Sequence, residues 1–177
     1  LSAKSEAQLT RQAEQLRAYL SSSDSEHTPD LGDLAYTLQV GREAMESRLA
    51  FTAATLSELT QKLTDYLAGK LAQGEIEACY RGEVKKHKET LAILNSDDTL
   101  QGAIRTWVRE GHYTKLLALW VKGLNFDWSC LYGPSSVYGP ATPQRVSLPT
   151  YPFARERYWV DSKLRNEDRR PLAKESV

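Results

Sequence analysis

Leu148-Pro149-Thr150-Tyr151-Pro152-Phe153-Ala154-Arg155-Glu156-Arg157-Tyr158-Trp159 carries four aromatic rings and two prolines in one short segment. Pro149 and Pro152 fix φ and steer Leu148 and Tyr151 away from helix. The segment is therefore expected to run extended, at least to Phe153. A lone strand cannot bury Tyr151, Phe153, Tyr158 and Trp159 within itself, so it must lie along a surface that is already folded. Two surfaces qualify. One is the chain's own core, where aromatic rings usually go. The other is a larger neighbour, with aromatic rings and arginines as the anchors. On the second reading the contact residues are Tyr151, Pro152, Phe153, Arg155, Tyr158 and Trp159.

Upstream, the pattern is one of short strands and amphipathic helices. Leu1 to Lys4 reads as the end of a strand. Ser5 is a good N-cap, and Gln8 falls where it completes a capping box. Leu9, Ala13, Leu16 and Leu20 then recur at helical spacing. The polar run Ser21 to Thr28 is a solvated loop. Asp30 caps a second helix with Leu31, Leu34, Ala35 and Leu38 inward, ended by Gly41. Arg48 to Ala54 reads as a strand. Thr55 or Ser57 opens a third helix with Leu56, Leu59, Leu63 and Leu67 on one stripe, ended near Gly69. Ile76 to Gly82 alternates like another strand. Three strands separated by helices predict a small, mostly parallel α/β sheet, because parallel neighbours need crossovers.

From residue 83 the character changes. Lys85, Lys86, His87 and Lys88 form a basic patch, the usual sign of a solvated face. Asp97 and Asp98 sit where carboxylates favour a helix start. Leu100, Ile104, Trp107 and Val108 share a stripe that ends at Gly111. Tyr113, Leu116, Leu117, Trp120, Val121 and Leu124 form the next helix. The result is a helical hairpin with broad apolar faces. Those faces either close a local bundle on the α/β core or stay open to a partner. The Gly- and Pro-rich stretch from Tyr132 to Pro143 reads as loop, and the charged residues after Val160 as a flexible tail.

Composition limits the function classes. The 177 residues are 41% hydrophobic and 26% charged, with net charge zero, so nothing in the balance attracts nucleic acid or an anionic membrane. No apolar run approaches the ~20 residues of a membrane-spanning helix, and no signal peptide is visible. A cytoplasmic location is expected, with Cys79 and Cys130 as free thiols. The start at Leu1 without Met suits a segment of a larger polypeptide. His27, His87 and His112 have no Cys, Asp or Glu at metal-ligand or triad-like spacing. There is no phosphate-cradling glycine pattern and no G-x-S-x-G turn. Gly133-Pro134-Ser135-Ser136-Val137 lacks the second Gly. A non-enzyme without cofactor or metal is expected.

The aromatic segment resembles the strap that closes the ketosynthase–acyltransferase region of modular polyketide synthases and runs back across the ketosynthase. Leu1-Ser2-Ala3-Lys4-Ser5 resembles the strand leaving the ketosynthase. Leu34-Ala35-Tyr36-Thr37-Leu38-Gln39-Val40-Gly41-Arg42 resembles a motif of the linker between those domains. Gly123-Leu124-Asn125-Phe126-Asp127-Trp128 resembles the opening of the linker after the acyltransferase. Four such pieces in order are specific. The span from Gly82 to Gly123 is far too short for an acyltransferase. The resemblance is therefore to the flanking subdomain of a trans-acyltransferase synthase, in which a separate enzyme loads the extender units.

The resemblance implies a division into a flanking subdomain (1–82), a helical insertion (83–131), a return linker and strap (132–160) and a tail (161–177). The insertion takes the position of the laterally interacting ketosynthase sequence, which joins neighbouring synthases through homotypic contacts. On that reading Leu100, Ile104, Trp107, Val108, Leu116, Leu117, Trp120 and Val121 meet a second copy, and the strap meets the chain's own ketosynthase. The alternative is a docking platform for a free-standing acyltransferase or an acyl carrier protein, with the basic patch facing an acidic partner.

Overall fold

The computed structural model describes residues 1–22, 28–87, 98–132 and 143–154, and the side chains of 72, 73, 86, 87 and 98–101 are left aside. The elements are β1 (Ser2–Ala3), α1 (Glu6–Ser22), α2 (Leu31–Val40), β2 (Ser47–Phe51), α3 (Leu56–Leu67), β3 (Cys79–Glu83), α4 (Asp98–Arg109) and α5 (Tyr113–Trp120). Short 3-10 turns cover Lys70–Gln73, Val84–His87 and Trp128–Leu131.

Local chemistry sets the helix starts. The Ser5 hydroxyl accepts from the Gln8 N–H and donates to Gln8 Oε1, so Ser5 caps α1, with Gln8 bonded to its hydroxyl. Asp30 accepts from Gly32 N–H at 2.7 Å. Thr55 accepts from Glu58 N–H at 3.1 Å, while Glu58 reaches back to Ala54 N–H at 2.8 Å. Gly69, at φ 79°, follows α3 in the left-handed conformation that a side chain would resist.

The sheet is antiparallel throughout, in the order β1-β2-β3, which corrects the parallel arrangement expected from the alternation of strands and helices. A crossover is needed only when the chain must return to the opposite end of the sheet. Here each helical excursion leaves and re-enters at the same end. Ala3 pairs with Ser47 after α1 and α2 intervene. Thr52 N–H donates to Ala78 O across the ends of β2 and β3, after α3 and the turn at 70–73. The third strand also begins later than its alternation suggested, because Ala78 sits at φ 50° and breaks the extended run.

β2 is central and its residues 47–50 are all buried, so both faces of the sheet are covered. Leu49 joins Leu9, Ala13 and Leu16 of α1 and Leu59 and Leu63 of α3. On the reverse face, Ala50 joins Leu117, Trp120 and Val121. Small residues permit this approach. A Cβ on Gly82 would lie 2.3 Å from Val121 O, so the end of α5 rests against bare strand backbone.

Candidate interface surfaces

The hairpin stripe is enclosed by the chain itself. Ile104, Val108 and Leu116 form one cluster with Leu124 and Leu131, while Leu117, Trp120 and Val121 face the sheet. These six of the eight residues expected to meet a second copy are buried: Ile104 1%, Val108 7%, Leu116 2%, Leu117 8%, Trp120 8% and Val121 3% exposed. The stripe reads as broad because α5 is sandwiched, with α4 on one side and β2 and β3 on the other. Trp107 is half-buried, with the Lys115 ammonium 5.9 Å from its ring centroid. The Leu100 side chain lies outside the described residues.

A polar fastener joins the helical hairpin to the sheet. The Arg48 guanidinium, 4% exposed, donates to Met45 O at 2.8 Å, Trp120 O at 2.8 Å and Leu124 O at 3.2 Å. Its carbon lies 5.0 Å from the Trp120 ring centroid. The carbonyls past the end of α5 carry the helix's partial negative charge, which offsets the buried cation. Burial lowers the Arg48 pKa. Nothing in the sequence assigned Arg48 a role beyond its strand.

The strap is held on the α/β body by side chains. Gln144 N–H donates to Asp33 Oδ1 at 2.7 Å and Val146 N–H to Thr37 Oγ1 at 3.0 Å. Asp33 and Thr37 stand one turn apart on α2, and residues 144 and 146 present their amides on the same side of an extended chain. Arg42 donates to Pro149 O at 3.0 Å. The Tyr151 hydroxyl donates to Gln8 Oε1 and accepts from Lys4 N–H, each at 3.0 Å. Leu148 and Tyr151 pack on the core shared by α1 and α3.

The extended run expected as far as Phe153 stops earlier. Phe153 N–H donates to Tyr151 O at 3.0 Å, a tight turn about Pro152. Pro152 is half-buried, whereas Phe153 is 75% exposed, with its ring 5.0 Å from that of Tyr151. Arg155, Tyr158 and Trp159 lie outside the described residues. Tyr151 thus turns to the chain's own body, and Phe153 turns outward.

Of the basic patch, Lys85 pairs with Glu46 at 2.9 Å. The Lys86 and His87 side chains and all of Lys88 lie outside the description. Burial raises the Cys79 thiol to about 11, and burial likewise raises that of Cys130, with Asp127 adding to it. Both are free cysteines and poor nucleophiles at neutral pH. Among the described residues no group of three His, Cys, Asp or Glu could hold a metal ion, and no helix is long and apolar enough to cross a membrane.

Residues 1–70 match the family described as the RhiE-like, KS-MAT linker domain. The fold is similar to that within the ketosynthase from module 6 of the bacillaene synthase of Bacillus subtilis 168. That likeness has a TM-score of 0.76 at 40% identity and covers 90% of this chain and 26% of that one. The chain belongs to the ketosynthase-flanking linker family of polyketide synthases. The module 1 ketosynthase of the bacillaene synthase of Bacillus amyloliquefaciens FZB42 is similar to the linker domain at TM-score 0.73 and 39% identity, covering 90% of this chain and 26% of that one. The polyketide synthases PksL and PksM of Bacillus subtilis strain 168 are 44% identical over 170 residues and 46% identical over 160. These matches cover 96% and 90% of this chain. The linker domain spans only 4% of the length of each of those two relatives.

Proposed function

We propose that this linker domain is a non-catalytic scaffold in a trans-acyltransferase polyketide synthase. In this reading it braces the ketosynthase and joins neighbouring synthases through homotypic contact. The observation that carries the bracing role is the handover in the strap. Tyr151 is bound to Lys4 and Gln8 of this domain, while Phe153, two residues on, is the large hydrophobic side chain left exposed among the described residues. The body fixes the strap's register, and Phe153 with Arg155, Tyr158 and Trp159 anchors on the ketosynthase. The trans-acyltransferase assignment is supported by the short span between β3 and Gly123, which leaves no room for an acyltransferase. The raised Cys79 and Cys130 thiols support a non-catalytic role.

The homotypic contact is assigned to the outer flank of the hairpin around Trp107. Six enclosed stripe residues hold the two helices rigid beneath it. A contact this small is weak singly and becomes effective only through repetition along an assembly line.

Two measurements test the reading. In the ketosynthase-containing chain, Phe153→Ser should speed proteolytic cleavage between ketosynthase and linker domain severalfold; an unchanged rate removes the anchor. Sedimentation against concentration should show self-association that Trp107→Asp abolishes. A chain that stays monomeric yet binds a free-standing acyltransferase or an acyl carrier protein transfers the role to docking.

A further inference from the structure

Three flanks of α2 meet three different parts of the chain. Leu34 is buried, and with half-buried Leu31 and Leu38 it faces the core shared by α1 and α3. Asp33 and Thr37 hold the strap by the amides of Gln144 and Val146. Tyr36 and Gln39 hold the end of the helical hairpin. The Tyr132 ring meets Tyr36 edge-on, 4.9 Å between centroids, and its hydroxyl donates to Gln39 Oε1. At 3.6 residues per turn these flanks stand roughly 110–140° apart around the helix. The hairpin thus ends, and the strap begins, on one helix of 10 residues.

The strap is not held by a ladder. Each of its bonds to α2 and Arg42 joins one side chain to one amide or carbonyl, and no residue from 143 to 153 is buried. Such attachments open at the low end of the local stability range. Among the apolar side chains of α2 only Leu34 is buried, and a short helix takes most of its stability from packing. The seat of α2 is therefore fixed by the strap and by Tyr132 together.

We propose that α2 is a coupling strut between the strap and the helical hairpin. Release of the strap from Asp33 and Thr37 loosens the seat of Tyr132, and release of Tyr132 loosens the strap, because coupling of this kind is reciprocal. The two states are a docked and a released strap, and α2 sits firmly on the core only in the first. The coupling itself does not depend on Phe153 or on Trp107. What it would carry, strain from a ketosynthase contact to a contact between synthases, rests on the proposed function.

Amide hydrogen exchange in the ketosynthase-containing chain tests it. The Val146 amide reports the strap, and the Tyr132 amide, which donates to Ser129 O at 3.0 Å, reports the end of the hairpin. Thr37→Val deletes the acceptor for Val146 and keeps the shape of the side chain. It should speed exchange severalfold at Val146 and also at Tyr132. Tyr132→Phe keeps the ring on Tyr36 but deletes the bond to Gln39, and should in turn speed exchange at Val146 severalfold. Thr37→Ser retains the hydroxyl and should leave both amides near their original rates. An effect confined to the substituted side overturns the proposal. So does an equal rise at the Leu34 amide, bonded to Asp30 O within α2, which would mean that the helix had melted rather than shifted.

Discussion

Arg48 grips Trp120 at both ends: its Nη1 donates to the Trp120 carbonyl at 2.8 Å while its guanidinium carbon lies 5.0 Å from the indole centroid. One residue of the central strand thereby fixes both the end of α5 and the ring beneath it. Replacing Arg48 by Ala strands the carbonyls of Met45, Trp120 and Leu124 without their donor. The expected cost is about 3 kcal/mol, since buried polar groups left unpaired lose their full desolvation penalty. Arg48→Lys keeps the charge but not the fork, and should recover only part of the loss. Urea midpoints read the stability. Hydrogen exchange at Val121 to Leu124 should rise before exchange in α1 does.

Gly82 and Val121 supply a second, steric test of the same junction. Gly82→Ala puts a methyl 2.3 Å from Val121 O, and a backbone carbonyl gives way at higher cost than a side-chain tip. A loss of roughly 1–3 kcal/mol is expected, in the range of overpacked cores. Gly102→Ala, in the interior of α4 with open space about it, should gain about 0.5–1 kcal/mol from helix propensity. Opposite signs from two identical substitutions, measured by thermal or urea unfolding, would establish that the strand glycine is there for close approach.

These residues also mark what the sequence made legible. Helix starts at Ser5, Asp30 and Thr55 were readable because capping is local, and so were the ends near Gly69 and Gly111. Strand direction was not, because the path of an excursion depends on tertiary closure, which helix count does not encode. The fate of the hairpin stripe turned on β2. Ala50 and Gly82 are small residues on one face of paired strands, a signal that something approaches that face closely. Read that way, they would have placed α5 on the sheet and Trp120 inside. Arg48 gave no such warning, since its acceptors are main-chain carbonyls far along the chain.

The amine of Leu1 gives the 177-residue chain a pH dependence. It donates to Leu49 O at 2.8 Å from a part-buried position, and desolvation, with Arg48 nearby, lowers its pKa from 8.0 to about 5. Between pH 5 and 8 the unfolded chain therefore binds a proton that the folded chain does not. The contribution of this amine to stability is fully present above pH 8 and falls as the pH drops towards 5, by at most about 4 kcal/mol for a shift of this size. Peptide-linked residues ahead of Leu1 turn the amine into an amide and should flatten the profile. Urea midpoints at pH 8 and pH 5.5, with and without such an extension, check the sign. A flat profile for the chain beginning at Leu1 would contradict the burial of its amine.

Tyr151 and Phe153 are adjacent in space but face different ways, Tyr151 onto the body and Phe153 outward, which makes them a paired test of the strap. Tyr151→Phe keeps the ring on the core and removes the hydroxyl that bridges Lys4 N–H and Gln8 Oε1. About 1 kcal/mol of the linker domain's own stability should be lost. Phe153→Ser removes a ring that is 75% exposed and should leave the domain's stability within about 0.5 kcal/mol of the original. In the ketosynthase-containing chain the order reverses: Phe153→Ser should loosen the contact between the two domains more than Tyr151→Phe does. Unfolding of the domain alone, set beside proteolysis of the longer chain, separates the two effects. If both substitutions weakened the isolated domain equally, the strap would belong to this body throughout and the division at Pro152 would be lost.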